Sequence, residues 1–383
     1  MVRALERACG ERYEIRVLVP GGGGDYEYGG VAVHRFMTKS LPCGLAPFLF
    51  KRKNQMLFGE ALARIGVRLD DIAFCHAHTS ELAYVTEFVK KHSPNALTLL
   101  HHHCINPIRL VSGRLGVVPL HATWLYFYLR HLCEQVDVHV FCSEQSRQSY
   151  AKMYRKNTPE CGFVDFKFAL LIGRFLRSFL MKDSLVLYNG IDSSVFHPHD
   201  CVRKKSSEEF VIGCVGNFQP LKEQMTLIKA VERLRMNGVV GVRVRFVGSG
   251  QTFAACQQYV CEHGLSDMIS FETEMPHDAL VDFYNSLDLF VLPSRTEGFC
   301  CAYVEAIGCG VPVMGCRGVS VEEVIPLQDR NRWLITPKDY IELAKKILDF
   351  MENRWEFHLS RNMEIEGLMM DFLQKVECFQ KKL

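Results

Sequence analysis

Two short apolar runs with a glutamate-bearing loop and a short helical stretch between them set the tightest limit on how this chain folds. They lie in and around residues 293–325, PSRTEGFCCAYVEAIGCGVPVMGCRGVSVEEVI. Residues 289–292 read as a buried strand, and 311–314 as the start of another. Residues 300–307 have the composition of a short buried helix. Gly308 and Gly310 suit its end, because glycine accepts the left-handed conformation found there. Glu297 and Gly298 therefore fall in the loop after a strand, just before a helix N-terminus. Open α/β sheets bind ligands at that position, and the free backbone N–H groups favour an anion such as phosphate. Glu305, about two turns into the helix, is placed to reach a neutral hydroxyl-rich group such as ribose. An isolated pair of glutamates at this spacing is more often two solvated side chains; the surrounding pattern is what lends this pair weight.

The rest of the second half repeats the strand–helix alternation. Strands are expected at 210–215, 242–250 and 268–272, and helices at 251–263, 277–286, 343–351 and 356–379. This order predicts a doubly wound domain over 206–355, after a polar linker at 204–209. A chain of 383 residues is too long for one ordinary core, so a first domain over 1–188 is expected as well. Hydrophobic content of 48% and charged content of 23% are those of a globular protein. A formal charge of +2 argues against an electrostatically driven nucleic-acid binder. Residues 1–16 lack the apolar core of a secretory leader, and no run of about 18 uncharged apolar residues reads as a membrane span. The 16 cysteines form no C-x-x-C pair. Free buried thiols and a reducing cytoplasm are the expectation.

In the first half, residues 14–20 (EIRVLVP) read as a strand running into Gly21–Gly24 and then Gly29-Gly30. A helical stretch is expected over 31–37, which would make a phosphate-binding turn. No G-x-G-x-x-G register fits, so a nicotinamide-dependent oxidoreductase is not supported. Strands at 72–75 and 97–100 end in His76-Ala77-His78 and His101-His102-His103. Clustered histidines raise the question of a metal, but the spacing completes no ligand set, and no metal or cofactor is expected. Residues 136–143 read as a further strand, with Ser143 as N-cap of a helix at 144–153.

Residues 293–325 resemble the donor-nucleotide site of family 4 retaining glycosyltransferases of the GT-B fold. Pro293, Ser294, Glu297, Gly298, Phe299, Glu305, Ala306, Gly310, Pro312, Val313, Glu323 and Ile325 carry the resemblance. It extends to Asn189-Gly190-Ile191-Asp192 with Phe196, and to Gly216 through Lys222. The resemblance implies two Rossmann-like domains facing across a cleft, with a C-terminal helix at 356–383 returning to the first. It implies transfer of a sugar from a UDP- or GDP-linked donor to a glycan or lipid-linked acceptor, in cell-envelope polysaccharide assembly. Glu297, Lys222 and His101 would carry the chemistry, with His102 as the neighbouring alternative to His101. Glu305, Gly298, Phe299, Asn217, Gly29 and Gly30 would hold the donor. Asn217 departs from the pattern, standing where the family has an arginine. Asparagine donates a hydrogen bond but supplies no charge, which opens a second reading as a binding module with little activity. A longer insert than the family needs includes 163–182, an aromatic stretch with four basic residues. It and 124–130 (WLYFYLR) are candidates for peripheral contact with the cytoplasmic face of a membrane.

Overall fold

The computed structural model describes residues 1–39, 50–103, 135–155, 183–199 and 209–382. The stretches 163–182 and 124–130, and most of the linker, lie outside them. The chain divides into two units: residues 1–188 with 368–383, and residues 189–367. No helix among the described residues is long and apolar enough to cross a membrane.

In the first unit, α1 (Val2–Cys9) precedes β1 (Val17–Pro20), β2 (Tyr26–Tyr28) and β3 (Val31–Phe36). These strands form a three-stranded sheet in the order β1-β3-β2. The helix expected over 31–37 is therefore a strand. Val31, Val33 and Phe36 are buried while Ala32 is exposed, and β-branched residues at alternate positions favour a pleated surface. Gly29 and Gly30, at φ +58° and +79°, are the two-residue turn of the β2–β3 hairpin. They do not open a helix, so the helix-terminus argument for a phosphate at Gly29 and Gly30 falls away.

A second, parallel sheet has the order β4-β5-β6-β7. It comprises β4 (Phe74–Ala77), β5 (Leu97–His102), β6 (Val138–Phe141) and β7 (Asp183–Val186). Every residue of β5 is buried, as expected for an inner parallel strand covered on both faces. Helices α2 (Lys51–Arg64) and α3 (Ala83–His92) pack Phe58, Leu62, Tyr84 and Val89 against Ala77 and Leu100. Helix α4 (Glu144–Arg155) begins as expected, with the Ser146 N–H donating to Ser143 Oγ at 3.0 Å.

The second unit holds one six-stranded sheet. Its elements are β8 (Phe210–Val215), α5 (Gln224–Met236), β9 (Val242–Val247), α6 (Phe253–Glu262), β10 (Ile269–Glu272), α7 (Ala279–Asn285), β11 (Leu289–Val291), α8 (Cys301–Gly308), β12 (Val313–Cys316), β13 (Leu334–Ile335) and α9 (Tyr340–Asn353). All pairings are parallel, in the order β10-β9-β8-β11-β12-β13. Counted within the unit this is 3-2-1-4-5-6, the doubly wound arrangement. Its winding reverses between β8 and β11, whose central residues Ile212 and Phe290 are 0% exposed. The last helix, α10, spans Ile365–Gln380, shorter at its start than expected. Residues 355–357 are held instead by aromatic packing, with Trp355 and Phe357 edge-on to Trp333.

Candidate active site

The carboxyl ends of β8 and β11 lie side by side where the sheet reverses, and each releases one loop of the candidate site. The β8 loop leaves through Gly216 at φ +151°. Its path is tied to the β9 loop by Phe218 N–H donating to Ser249 O at 2.7 Å and Thr252 N–H to Phe218 O at 3.0 Å. The approach is tight enough that a Cβ on Gly248 would meet Gly216 O at 2.5 Å. Glycine is required there on both steric and conformational grounds. The β11 loop is held from two sides. The Asn189 side-chain amide donates to Phe299 O at 2.8 Å, and the Arg295 N–H donates to Leu221 O at 2.9 Å.

This stitching brings Lys222 and Glu297 together. Lys222 Nζ is 2.7 Å from Glu297 Oε1, with the side chains 20% and 11% exposed. At that distance the contact is a charged pair in which the ammonium faces Glu297 Oε1 directly. Burial works against the Lys222 charge, but its neighbours outweigh it and hold the ammonium above its ordinary value, Glu297 being the one that is charged at neutral pH. Burial pushes the Cys300 thiol up to about 12, with Glu297 adding to it. Cys300 is therefore a neutral thiol at physiological pH, 3.8 Å from Lys222 Nζ, and the anion beside the lysine is Glu297. Cys300 is also the residue before α8. A fixed cation and a helix N-terminus thus converge at one strand-end loop, an arrangement that stabilises a diphosphate gaining charge.

Glu305 lies on α8 with a different environment. Tyr284 OH donates to its Oε2 at 2.8 Å, and His277 Nε2 is 3.7 Å from its Oε1. Burial raises the Glu305 carboxyl above its ordinary value, against the lowering effect of Tyr284 and His277. Tyr284 and His277 have no motif of their own in the sequence. Their only signal is position, on and just before the helix that precedes β11.

Asn217 is exposed, and its backbone carbonyl accepts from Gln224 Nε2 at 3.1 Å. Arg295, a nearby cation on the β11 loop, does not supply the charge that Asn217 lacks, because it is engaged elsewhere. Its Nε pairs with Glu223 at 2.6 Å and its Nη2 donates to Pro220 O at 3.3 Å. It braces the lysine loop against the glutamate loop. Phe299 is buried at 6% exposure, so it offers a ligand its backbone rather than its ring. His101, in the first unit, is 0% exposed and stacked among other histidine rings. The exposed histidine at that strand end is His103.

Residues 200–367 match the family described as glycosyl transferases group 1. A D-inositol 3-phosphate glycosyltransferase of Mycobacteroides abscessus is 32% identical over 162 residues, 40% of this chain and 35% of that protein. A GDP-mannose-dependent alpha-(1-6)-phosphatidylinositol monomannoside mannosyltransferase of Mycolicibacterium smegmatis is 28% identical over 149 residues, 36% of this chain and 39% of that one. The chain thus spans little more than a third of these curated relatives' length. Solved structures extend the likeness to the whole fold. Sucrose-phosphate synthase from Thermosynechococcus elongatus superposes with a TM-score of 0.67 at 17% identity, covering 100% of this chain and 90% of that one. Anabaena HepE in complex with UDP and glucose gives 0.61 at 16% identity, covering 92% and 85%. These are GT-B proteins, and the fold of this chain is GT-B.

Proposed function

We propose, from the premise that residues 200–367 belong to the group 1 glycosyltransferases, that this protein transfers a sugar from a nucleotide-sugar donor to an acceptor hydroxyl with retention at the anomeric carbon. The observation that carries the reading is the Lys222–Glu297 pair at 2.7 Å, set where the sheet reverses and the N-terminus of α8 begins. As the glycosidic bond breaks, negative charge builds on the departing diphosphate. The Lys222 ammonium and the α8 N–H groups offset it. Glu297, held in place by Lys222, accepts from a sugar hydroxyl. Glu305, oriented by Tyr284, accepts from the ribose hydroxyls. The donor carries UDP or GDP. The relatives named for inositol phosphate and phosphatidylinositol point to a polyol or glycolipid acceptor, and cell-envelope glycan assembly at the cytoplasmic face of a membrane is the setting proposed.

A second reading, a nucleotide-sugar-binding module with little turnover, is favoured by Asn217 and by the commitment of Arg295 to Glu223. One experiment separates the two. The chain is incubated with UDP- and GDP-sugars, and release of the nucleoside diphosphate is followed. Slow release that disappears in Glu297→Ala supports the enzyme. Tight donor binding without release, equal in both proteins, supports the module.

A further inference from the structure

Four histidine rings gather at one end of the parallel sheet of the first unit, and apart from the sugar contact that the resemblance implies for His101, the proposed transfer gives them no role. Side chains alternate along a strand, so His76 and His78 share one face of the β4 segment, and His101 and His103 share one face of the β5 segment. The parallel register pairs His76 with Leu99 and Ala77 with Leu100. One further step sets His78 beside His101. The ring centroids of His76 and His101 are 5.3 Å apart, those of His76 and His78 4.3 Å, and those of His78 and His101 5.2 Å. Phe372 of α10 covers His76 at 5.6 Å. His102 points to the opposite face, where it bonds His139 at 2.9 Å.

We propose that His76, His78 and His101 form a binding site for a divalent transition metal of the zinc class, with His103 orienting His78. One ring nitrogen from each of the three lies within 4.8 Å of the others. A point no more than about 2.8 Å from all three therefore exists (4.8 Å divided by √3), against a Zn–N bond of about 2.0–2.1 Å. Side-chain shifts of under about 1 Å close the site.

The second observation is independent of that distance. Among the described residues, His76 Nε2 and both ring nitrogens of His101 are buried without a hydrogen-bond partner, and His101 is 0% exposed. Packing explains why the rings stack; it does not explain leaving three buried polar atoms unpaired, which costs stability. A bound ion removes that cost and is among the standard reasons such atoms occur. His103 Nε2 meets His78 Nδ1 at 3.1 Å, which fixes the orientation of the His78 ring and leaves its Nε2 as the ligand atom, the role that a carboxylate, carbonyl or water more commonly plays at such sites. Three imidazoles, with no carboxylate or thiolate joining them among the described residues, suit zinc or cobalt rather than magnesium or calcium.

The test uses the full chain, freed of metal with a chelator and titrated calorimetrically with Zn²⁺. Co²⁺ at the same stoichiometry reports coordination through its visible spectrum. One ion per chain is expected, with at least about a tenfold loss of Zn²⁺ affinity in His78→Gln and in His101→Gln. His92→Gln should leave the affinity unchanged, because that exposed ring bonds only the Phe88 carbonyl. His78 is partly exposed, so its variant is expected to fold, and a metal-free thermal melt checks that it does. If His101→Gln fails to fold, His78→Gln decides alone. Absence of stoichiometric Zn²⁺ binding, or equal affinity in His78→Gln and the native chain, overturns the proposal. Neither readout depends on glycosyl transfer.

Discussion

Tyr284→Phe removes one oxygen from the centre of the second unit and should change how its stability depends on pH. Tyr284 is 0% exposed, and its ring packs against Phe196, Phe283 and Phe290. Phenylalanine keeps that packing and loses only the hydroxyl that donates to Glu305 Oε2 at 2.8 Å. A hydrogen bond to a charged group is worth about 1.5–3 kcal/mol, and one between neutral groups about 0.5–1.5. Glu305 is an acid whose folded-state value burial has raised. Its contribution to stability is therefore fully present below the unfolded value and is lost as pH rises through the folded one. The tyrosine hydroxyl limits that loss, because it favours the carboxylate. Removing it moves the Glu305 carboxyl further up and deepens the loss on the alkaline side. At pH 7 the unit should be destabilised by about 1.5–3 kcal/mol, or a fall in Tm of about 3–12 °C for a unit of this size. Below pH 4 the difference should shrink toward the neutral value. The assay is calorimetric unfolding of native, Tyr284→Phe, Glu305→Gln and the double variant across that pH range, following the transition of the second unit. An equal Tm difference at pH 4 and pH 7, with a coupling energy near zero in the cycle, would refute the reasoning. It would mean that the hydroxyl does not support a carboxylate.

Four further outcomes follow from the same geometry. Lys222→Met strands a largely buried Glu297, and should cost about 1–3 kcal/mol in denaturant unfolding, between the values for exposed and buried pairs, while release of diphosphate from donor falls by more than about tenfold. Gly213→Ala should cost about 1–3 kcal/mol by overpacking, because its Cβ would meet Leu287 Cδ1 at 2.2 Å; unchanged stability would show that Leu287 swings away freely. Cys300, pushed up to about 12, should alkylate in the native protein far more slowly than exposed Cys261, as read by peptide mapping at pH 8. Asn217→Arg should speed donor hydrolysis several-fold if the missing charge limits the rate; no change would leave the weak-turnover reading standing.

The second unit was the more legible half, for a physical reason. Its central strands β8 and β11 are largely covered on both faces, so they stand in the sequence as continuous apolar runs, FVIGCV and LFV. Residues 31–36 were misread because a glycine pair before an apolar stretch suits a helix start and a hairpin alike. The alternation of Val31 and Val33 decides for the strand, but over six residues it is a weak signal. The start of α10 was set too early because Trp355 and Phe357 are apolar for another purpose, packing on Trp333.

Within the site the division is similar. Residue types and local order were enough to place Glu297 before a helix N-terminus, Lys222 after a strand and Glu305 inside the helix, because those positions follow from short-range geometry. That Lys222 pairs with Glu297, that Tyr284 holds Glu305, and that Arg295 is spent on Glu223 depend on which strands lie side by side. The histidines show this most plainly. Read along the chain, His76-Ala77-His78 and His101-His102-His103 are two strand ends about two dozen residues apart, with no ligand spacing between them. Their convergence is created by one parallel pairing, Ala77 beside Leu100, and by burial that leaves ring nitrogens unpaired. The chemistry of single residues is written in the sequence, whereas their pairing across strands exists only once the sheet has formed.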